Sequence, residues 1–215
     1  MQPTEEQERI VASDAGSLVV EAGAGAAKTT TLGLYASARP RSRILYLAFN
    51  KSIQLEAAAR MPPNVNCRTT HSIAWRKAAE LFGGEASQRV GKTYASSVAR
   101  TFRCGPLVAT AALQAIQNWC GSLSSQIDAS HVPTDIAERL ADPGSVVEIA
   151  RATWARMCRP DGGELRLPHD GYLKLFQMEE PMLRGQDLVA VDEAQDLNMC
   201  TYDIVRRQCG GLVLV

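Results

Sequence analysis

The first 84 positions of the chain alternate between two hydrophobic periods. Ser17-Leu-Val-Val-Glu21 is a short apolar run ending in an Ala/Gly-rich loop, and it reads as a buried strand. Lys28 to Ala38 follows as a helix, closed by Arg39-Pro40. Arg43-Ile-Leu-Tyr-Leu-Ala-Phe49 is a second buried strand, and the Ala-rich stretch from Lys51 to Arg60 is a helix stopped by Pro62-Pro63. Val65 to Arg68 reads as a third strand and Ser72 to Phe82 as a third helix, stopped by Gly83-Gly84. Strand–helix alternation with short turns implies an α/β protein whose parallel sheet is covered on both faces.

After Gly84 the period changes. Tyr94, Val98 and Phe102 recur every four residues, as do Val108, Ala112 and Ile116, with Trp119 extending that stripe. Ser145-x-x-Glu148 has the form of a capping box, opening a helix that carries Val146, Ala150, Trp154 and Met157. Strand signals are scarce here. Residues 85–180 are therefore expected to form a helical insertion between two parts of the sheet domain, 1–84 and 181–215. The sheet pattern resumes with Asp187-Leu-Val-Ala-Val191, a helix around Thr201 to Gln208, and Gly211-Leu-Val-Leu-Val215. Ending on a buried parallel strand is unusual, so the sheet domain is expected to be C-terminally truncated.

Composition narrows the class. With 215 residues, 46% of them hydrophobic and 21% charged, the chain can bury a core, which excludes wholesale disorder. No apolar run approaches the ~18 residues a membrane span needs. The N-terminal MQPTEEQERI carries three Glu and no apolar stretch, so it is not a secretory signal. Six scattered Cys, none spaced as a zinc knuckle, point to reduced thiols and a cytoplasmic location. The net charge of zero hides an asymmetry, because residues 61–120 hold seven basic and two acidic side chains. That basic middle could face nucleic acid; a solvated helical surface is the alternative.

Two segments carry chemistry. Ala22-Gly23-Ala24-Gly25-Ala26-Ala27-Lys28-Thr29 lies between an expected strand and an expected helix. Binding a phosphate needs a backbone free to turn its N–H groups inward, a helix N-terminus behind it and a lysine at the right offset. The small residues supply the first, Lys28 would reach the β- and γ-phosphates, and the Thr29 hydroxyl would ligate Mg²⁺. The usual pattern has glycine at both ends of the loop, where this chain has Ala22 and Ala27. A methyl at Ala27 is expected to crowd the loop and weaken ATP binding. The second segment is Val189-Ala-Val-Asp-Glu-Ala-Gln-Asp196, an apolar strand delivering Asp192 and Glu193 to the crevice where such sheets bind ligands. Asp192 would hold Mg²⁺ through water and Glu193 would polarise the attacking water. An acidic helix start capped by Asp196 is the plainer alternative. Together the two segments have the order a P-loop NTPase requires.

On these residues the chain resembles the N-terminal motor domain of the UvrD/Rep-type superfamily 1 DNA helicases, with most resemblance to the F-box DNA helicase branch. The residues that carry the likeness are Thr4-Glu-Glu-Gln7, AGAGAAKTTTL, RILYLAFNKS (43–52), Arg68-Thr-Thr-His-Ser-Ile-Ala74, HDGYLKLFQM (169–178) and VDEAQDLN (191–198). The resemblance implies a RecA-like P-loop domain (1A) with a helical 1B-like insertion. It makes Gln7 the reader of the adenine edge and places Thr30 with Lys28 and Thr29 in the ATP site. It makes Gln195 the residue that couples that site to its surroundings. It makes Phe49, Asn50, Lys51, Thr70 and His71 contacts to single-stranded DNA, and a strand end presenting a ring, an amide and a cation suits that task. The plain alternatives are Thr4-x-x-Gln7 as a capping box, a use that can alternate with the adenine contact, and Asn50-Lys51 as a helix start. Tyr172 and Lys174 fall in a matching stretch without an assigned role.

The implied activity is ATP-dependent, 3′-to-5′ DNA unwinding, with ATP and Mg²⁺ as cofactors and single-stranded DNA as partner. The location would be intracellular, nuclear in a eukaryote. The family's γ-phosphate-sensing Gly-Asp-x-x-Gln segment and its second lobe, with an adenine-stacking aromatic and catalytic arginines, are absent from this chain. An arginine finger contributes ~10³–10⁵ in rate, so the chain alone is expected to be a very poor ATPase. The rivals are a P-loop ATPase acting as a nucleic-acid-binding switch without unwinding, and a catalytically inactive remnant.

Overall fold

The computed structural model describes residues 3–21, 23, 27–139, 142, 144–208 and 210–215. In chain order the elements begin α1 (Glu5–Ala12), β1 (Ser17–Val19), α2 (Lys28–Ser37), β2 (Ile44–Ala48), α3 (Lys51–Arg60), β3 (Val65–Thr69) and α4 (Thr70–Phe82). A helical stretch follows, with α5 (Ala86–Arg89), α6 (Ala95–Phe102), α7 (Pro106–Cys120), α8 (Thr134–Ala137), α9 (Gly144–Met157) and α10 (His169–Met178). The chain then returns to β4 (Leu188–Val191), α11 (Met199–Arg206) and β5 (Gly211–Leu214). Two compact units result. One takes the residues up to Ile73 with Glu180–Leu197 and Thr201–Val215; the other takes Ala74–Glu179 with Asn198–Cys200.

The first unit is a RecA-like α/β fold, built on a five-stranded sheet in the order β1-β5-β4-β2-β3 with every pair parallel. Parallel strands need crossovers, and the helices that supply them cover both faces. On one face Ile44, Tyr46, Ala48 and Ala190 pack with Leu32, Tyr35 and Ala36 of α2 and Ala57 of α3. On the other, Leu45, Leu47, Val189 and Val191 pack with Val205, and Ile73 and Leu197 lie against them. β2 and β4 are buried along their whole length because both are central. The expectation of a buried first strand fails. β1 is three residues long with Val19 67% exposed, because it stands at the sheet edge and pairs only with β5. At the opposite end from the candidate site, the Arg43 guanidinium and backbone N–H both bond Asp187, tying the starts of β2 and β4 together.

Local chemistry sets the helix starts. Thr4 and Gln7 form the reciprocal capping box of α1. Asn50 caps α3, its side-chain oxygen accepting from the Ile53 N–H at 3.0 Å. Thr69 and Ser72 exchange hydrogen bonds of 3.1 Å at the start of α4. α2 differs: it has no side-chain cap, and the residue before it, Ala27, sits at φ 57°, ψ 35°.

In the helical unit α7 packs along α9, with Trp119 and Trp154 edge-to-face at 4.8 Å between ring centroids. Arg89 is buried, and its guanidinium donates to the carbonyls of Gly163, Arg159 and Leu165 at 2.6, 3.0 and 2.9 Å. As expected, α4 ends at Phe82, where Gly83 turns the chain at φ 56°, and a 3₁₀ turn over Gly83–Glu85 then leads into α5. One local expectation is corrected. Ser145 does not cap α9. The helix begins at Gly144, whose N–H is taken by the Asp142 carboxylate, and the Ser145 hydroxyl donates back to the Asp142 carbonyl. Cys67, Cys104, Cys120 and Cys158 are free thiols, with Cys67 and Cys120 buried; Cys200 is buried as well, and Cys209 lies outside the described residues.

The backbone at Ala27 yields a prediction. Left-handed backbone costs an L-residue with a Cβ roughly 1–2 kcal/mol and costs glycine almost nothing. Glycine's freer unfolded chain takes back about 0.4–1 kcal/mol. Ala27→Gly should therefore stabilise the first unit by about 0.5–1 kcal/mol, read as a raised midpoint in urea unfolding. A lowered midpoint would show that the loop does not hold Ala27 in that conformation.

Candidate nucleotide and nucleic-acid site

The site follows from the sheet register. Ala48 of β2 lies opposite Thr69 of β3, Leu47 opposite Val191 of β4, and Val191 and Val19 each opposite Leu214 of β5. The segments leaving the C-terminal ends of β1, β2, β3 and β4 therefore emerge along one edge of the first unit. That edge is where open α/β sheets bind ligands.

Two pairs of side chains join α2 to the end of β4. Lys28, the first residue of α2, places its Nζ 2.8 Å from Oε2 of Glu193, and the Gln195 amide donates to the same oxygen at 2.6 Å. The Glu193 carboxyl is held below its ordinary range, first by the Lys28 hydrogen bond and then by Gln195; the Lys28 amine is raised, chiefly by the same bond to Glu193. A carboxylate with a depressed folded pKa keeps its partner above the ordinary carboxylate range and loses it as pH falls through the lowered value. The pair is thus intact at neutral pH. Glu193 itself turns the chain, at φ 53°.

The second pair is Thr29 and Asp192. Asp192 is 5% exposed. Its Oδ1 accepts from the Glu193 N–H at 3.1 Å, and its Oδ2 receives the Thr29 hydroxyl at 3.4 Å and the Tyr46 hydroxyl. A hydroxyl and a buried carboxylate are hard oxygen donors that suit Mg²⁺, which binds through one or two carboxylates together with substrate phosphates. The described residues contain no cluster of three or more His, Cys, Asp or Glu able to hold a metal ion by themselves. The donor set fits a cation that arrives with phosphates.

Gln7, on α1, reaches α2 one turn beyond Lys28. Its side-chain oxygen accepts from the Thr4 N–H at 3.1 Å and its amide donates to the Thr31 hydroxyl at 2.9 Å; Thr31 in turn bonds the Ala27 carbonyl at 3.2 Å. Thr30 is exposed and lines a pocket of about 420 Å³ with Thr29, Gly33, Arg60 and Met61. Gly23 and Ala27 are exposed; Ala22, Ala24, Gly25 and Ala26 lie outside the described residues.

Among the expected DNA contacts, Phe49 leaves β2 with 58% of its surface exposed, followed by the exposed Asn50 and Lys51. Lys51 rests on the Gln54 side chain at 2.6 Å. Thr70 is buried at the start of α4 and His71 is half-buried. The structure thus presents the 49–51 turn and withdraws Thr70. Sequence reading missed Tyr46 and Thr31. Tyr46 sits in an unbroken apolar strand, so its hydroxyl gains a partner only once β2 is known to neighbour β4. Thr31 had a local signal, because it stands one turn into α2, but its partner Gln7 lies 24 residues earlier.

Comparison with known proteins adds one relationship. No family model matches the chain. It is similar to F-box DNA helicase 1 of Gallus gallus, with 33% identity over 99% of the chain, and to F-box DNA helicase protein 1 of Schizosaccharomyces pombe, with 26% identity over 92% of it. The chain spans about a quarter of the length of these relatives, 23% and 25% respectively. Across nearly all of its residues, this chain has F-box DNA helicases as its homologues.

Proposed function

We infer that the chain is the ATP- and single-stranded-DNA-binding part of a DNA helicase motor of the UvrD/Rep type, translocating 3′ to 5′ within a protein that supplies a second lobe. The observation that carries this reading is the pairing of Lys28 with Glu193 and of Thr29 with Asp192, which joins a helix N-terminus to a strand end more than 160 residues away. A buried carboxylate at a strand end, facing a hydroxyl and a lysine at a helix start, is the donor set that a phosphate with its cation calls for. The homologues' names supply the DNA and the unwinding.

The residues act as follows. Lys28 leaves Glu193 to take the nucleotide phosphates, and the backbone N–H groups at the start of α2 point at them. Thr29 and Asp192 would hold Mg²⁺, which neutralises charge developing on the transferred phosphoryl group. Glu193, released from Lys28, accepts a hydrogen bond from the attacking water and orients it. Phe49 offers a ring on which a base can stack and Lys51 a cation for the backbone, on the same sheet edge as the nucleotide. DNA and nucleotide would then be read by segments that share a register. No described helix is long and apolar enough to cross a membrane. The location that accords with the reading is the compartment holding DNA, the nucleus in a eukaryote.

Exchange of the Lys28 partner gives a test that does not depend on turnover. Lys28→Ala should weaken Mg·ATP binding by roughly tenfold or more, since a charge-assisted contact to phosphate is lost. Glu193→Gln should leave binding intact or tighten it, because the lysine is no longer held by a carboxylate. Equilibrium binding of ATP by the chain and both variants decides the matter. Equal binding by wild type and Lys28→Ala would remove Lys28 from the site.

The 49–51 turn yields a second test. Lys51→Ala should weaken single-stranded DNA binding and flatten its salt dependence with little change in stability, because Lys51 is exposed and its amine bonds the Gln54 side chain of the same helix. Asn50→Ala should also lower unfolding stability, by about 1 kcal/mol, through loss of the α3 cap. Unchanged DNA affinity in a Phe49→Ala/Lys51→Ala double variant would make this turn an ordinary solvated surface.

A further inference from the structure

We propose that Tyr46 is a positioning residue for Asp192, fixing which face of that carboxylate is available to a nucleotide-bound divalent cation; the inference rests on the nucleotide reading given above. The sheet register brings the two together. Tyr46 of β2 lies directly opposite Ala190 of β4, and Asp192 follows Ala190 by two residues, on the same face. Two residues advance a strand by about 6.6 Å, close to the reach of a tyrosine side chain leaning along its strand. Ala190 is small enough to leave that path open. The Tyr46 hydroxyl accordingly donates to Oδ2 of Asp192 from within a side chain that is 1% exposed.

The consequence is a count of lone pairs. Oδ1 of Asp192 is engaged by the Glu193 N–H, and Oδ2 carries both the Tyr46 and the Thr29 hydroxyls. The Thr29 contact, at 3.4 Å, is the weakest of the three and the one that can be exchanged. Thr29 can turn its oxygen towards a cation, freeing one lone pair of Oδ2 in a direction that Tyr46 and the Glu193 N–H have already set. Without the phenol, a carboxylate that is 5% exposed keeps one strong donor, loses its fixed rotation, and sits beside an apolar ring. The plain alternative is that a buried tyrosine hydroxyl has simply found the nearest acceptor. The two differ in what the cation feels.

The test measures ADP binding by the full chain in the presence of Mg²⁺ and in EDTA, for wild type and Tyr46→Phe, with thermal unfolding as the check on folding. Wild type should bind ADP more tightly with Mg²⁺. In Tyr46→Phe the affinity in EDTA should stay near the wild-type value, while the tightening by Mg²⁺ falls about tenfold, the effect of losing one hydrogen bond to a charged group. Equal tightening in both proteins overturns the proposal and leaves the nucleotide reading standing. Absence of ADP binding by wild type under either condition overturns both. A single 3-fluorotyrosine placed at position 46 covers the case in which Tyr46→Phe does not fold. Its ¹⁹F signal should shift when Mg²⁺ is added to the ADP-bound protein, and no shift rejects the role.

Discussion

The candidate site depends on the parallel pairing of β2 with β4. That pairing sets Leu47 against Val191, so the residues after Val191 emerge level with the end of β2. It also sets Tyr46 against Ala190, which puts a phenol within reach of Asp192. A shift of one residue in this ladder would turn Tyr46 to the opposite face and bring a leucine under Asp192 instead. The register is held from both sides. Alternate residues of both strands are buried in separate cores, so a slip would exchange every contact of both faces at once. The Arg43–Asp187 fork pins the far ends of the same two strands.

Much of this was legible in the sequence because it is locally encoded. The strands at 44–48 and 188–191 are continuous apolar runs in an otherwise mixed chain, and central parallel strands must be apolar on both faces. The loop before Lys28 and the acidic pair after Val191 combine residue types that few structural needs bring together. What escaped depends on neighbours that sequence does not order. Ser17-Leu-Val19 has the composition of a central strand, yet strand order places it at the edge, where Val19 is exposed. Tyr46 has the composition of core, and only the adjacency of β4 gives its hydroxyl a partner. Ser145 and Glu148 have the spacing of a capping box, but Asp142 competes for the same helix end with a shorter, charged acceptor.

A common feature joins the candidate binding groups. Lys28 rests on Glu193, Thr29 on Asp192, Gln7 on Thr31, and Lys51 on Gln54. Each is a polar group that a ligand would claim, and each already has a protein partner. Binding on such a surface is an exchange of hydrogen bonds, so its net gain is smaller than a count of new contacts suggests. The compensation is geometric. Side chains held by partners stand in one rotamer before the ligand arrives, so less conformational freedom is lost on binding. Phe49 stands apart: its ring is 58% exposed, and stacking a base on it displaces only water.

The amides show how far that exchange can go. Asn50 uses its oxygen to cap α3 and has its NH₂ group to offer, so it can donate to a nucleic acid's acceptors without giving up the helix start. Gln7 is more constrained, because its oxygen holds the α1 capping box and its NH₂ group holds Thr31. An amide has four bonding positions and these two contacts use one on each side, which leaves one donor and one acceptor lone pair. Reading an adenine edge needs a donor and an acceptor together. Gln7 can therefore meet that demand with the capping box in place, provided the ring approaches from the side opposite Thr4 and Thr31. The capping box and the adenine contact are compatible uses of one side chain, with the box fixing the orientation in which the amide would be read.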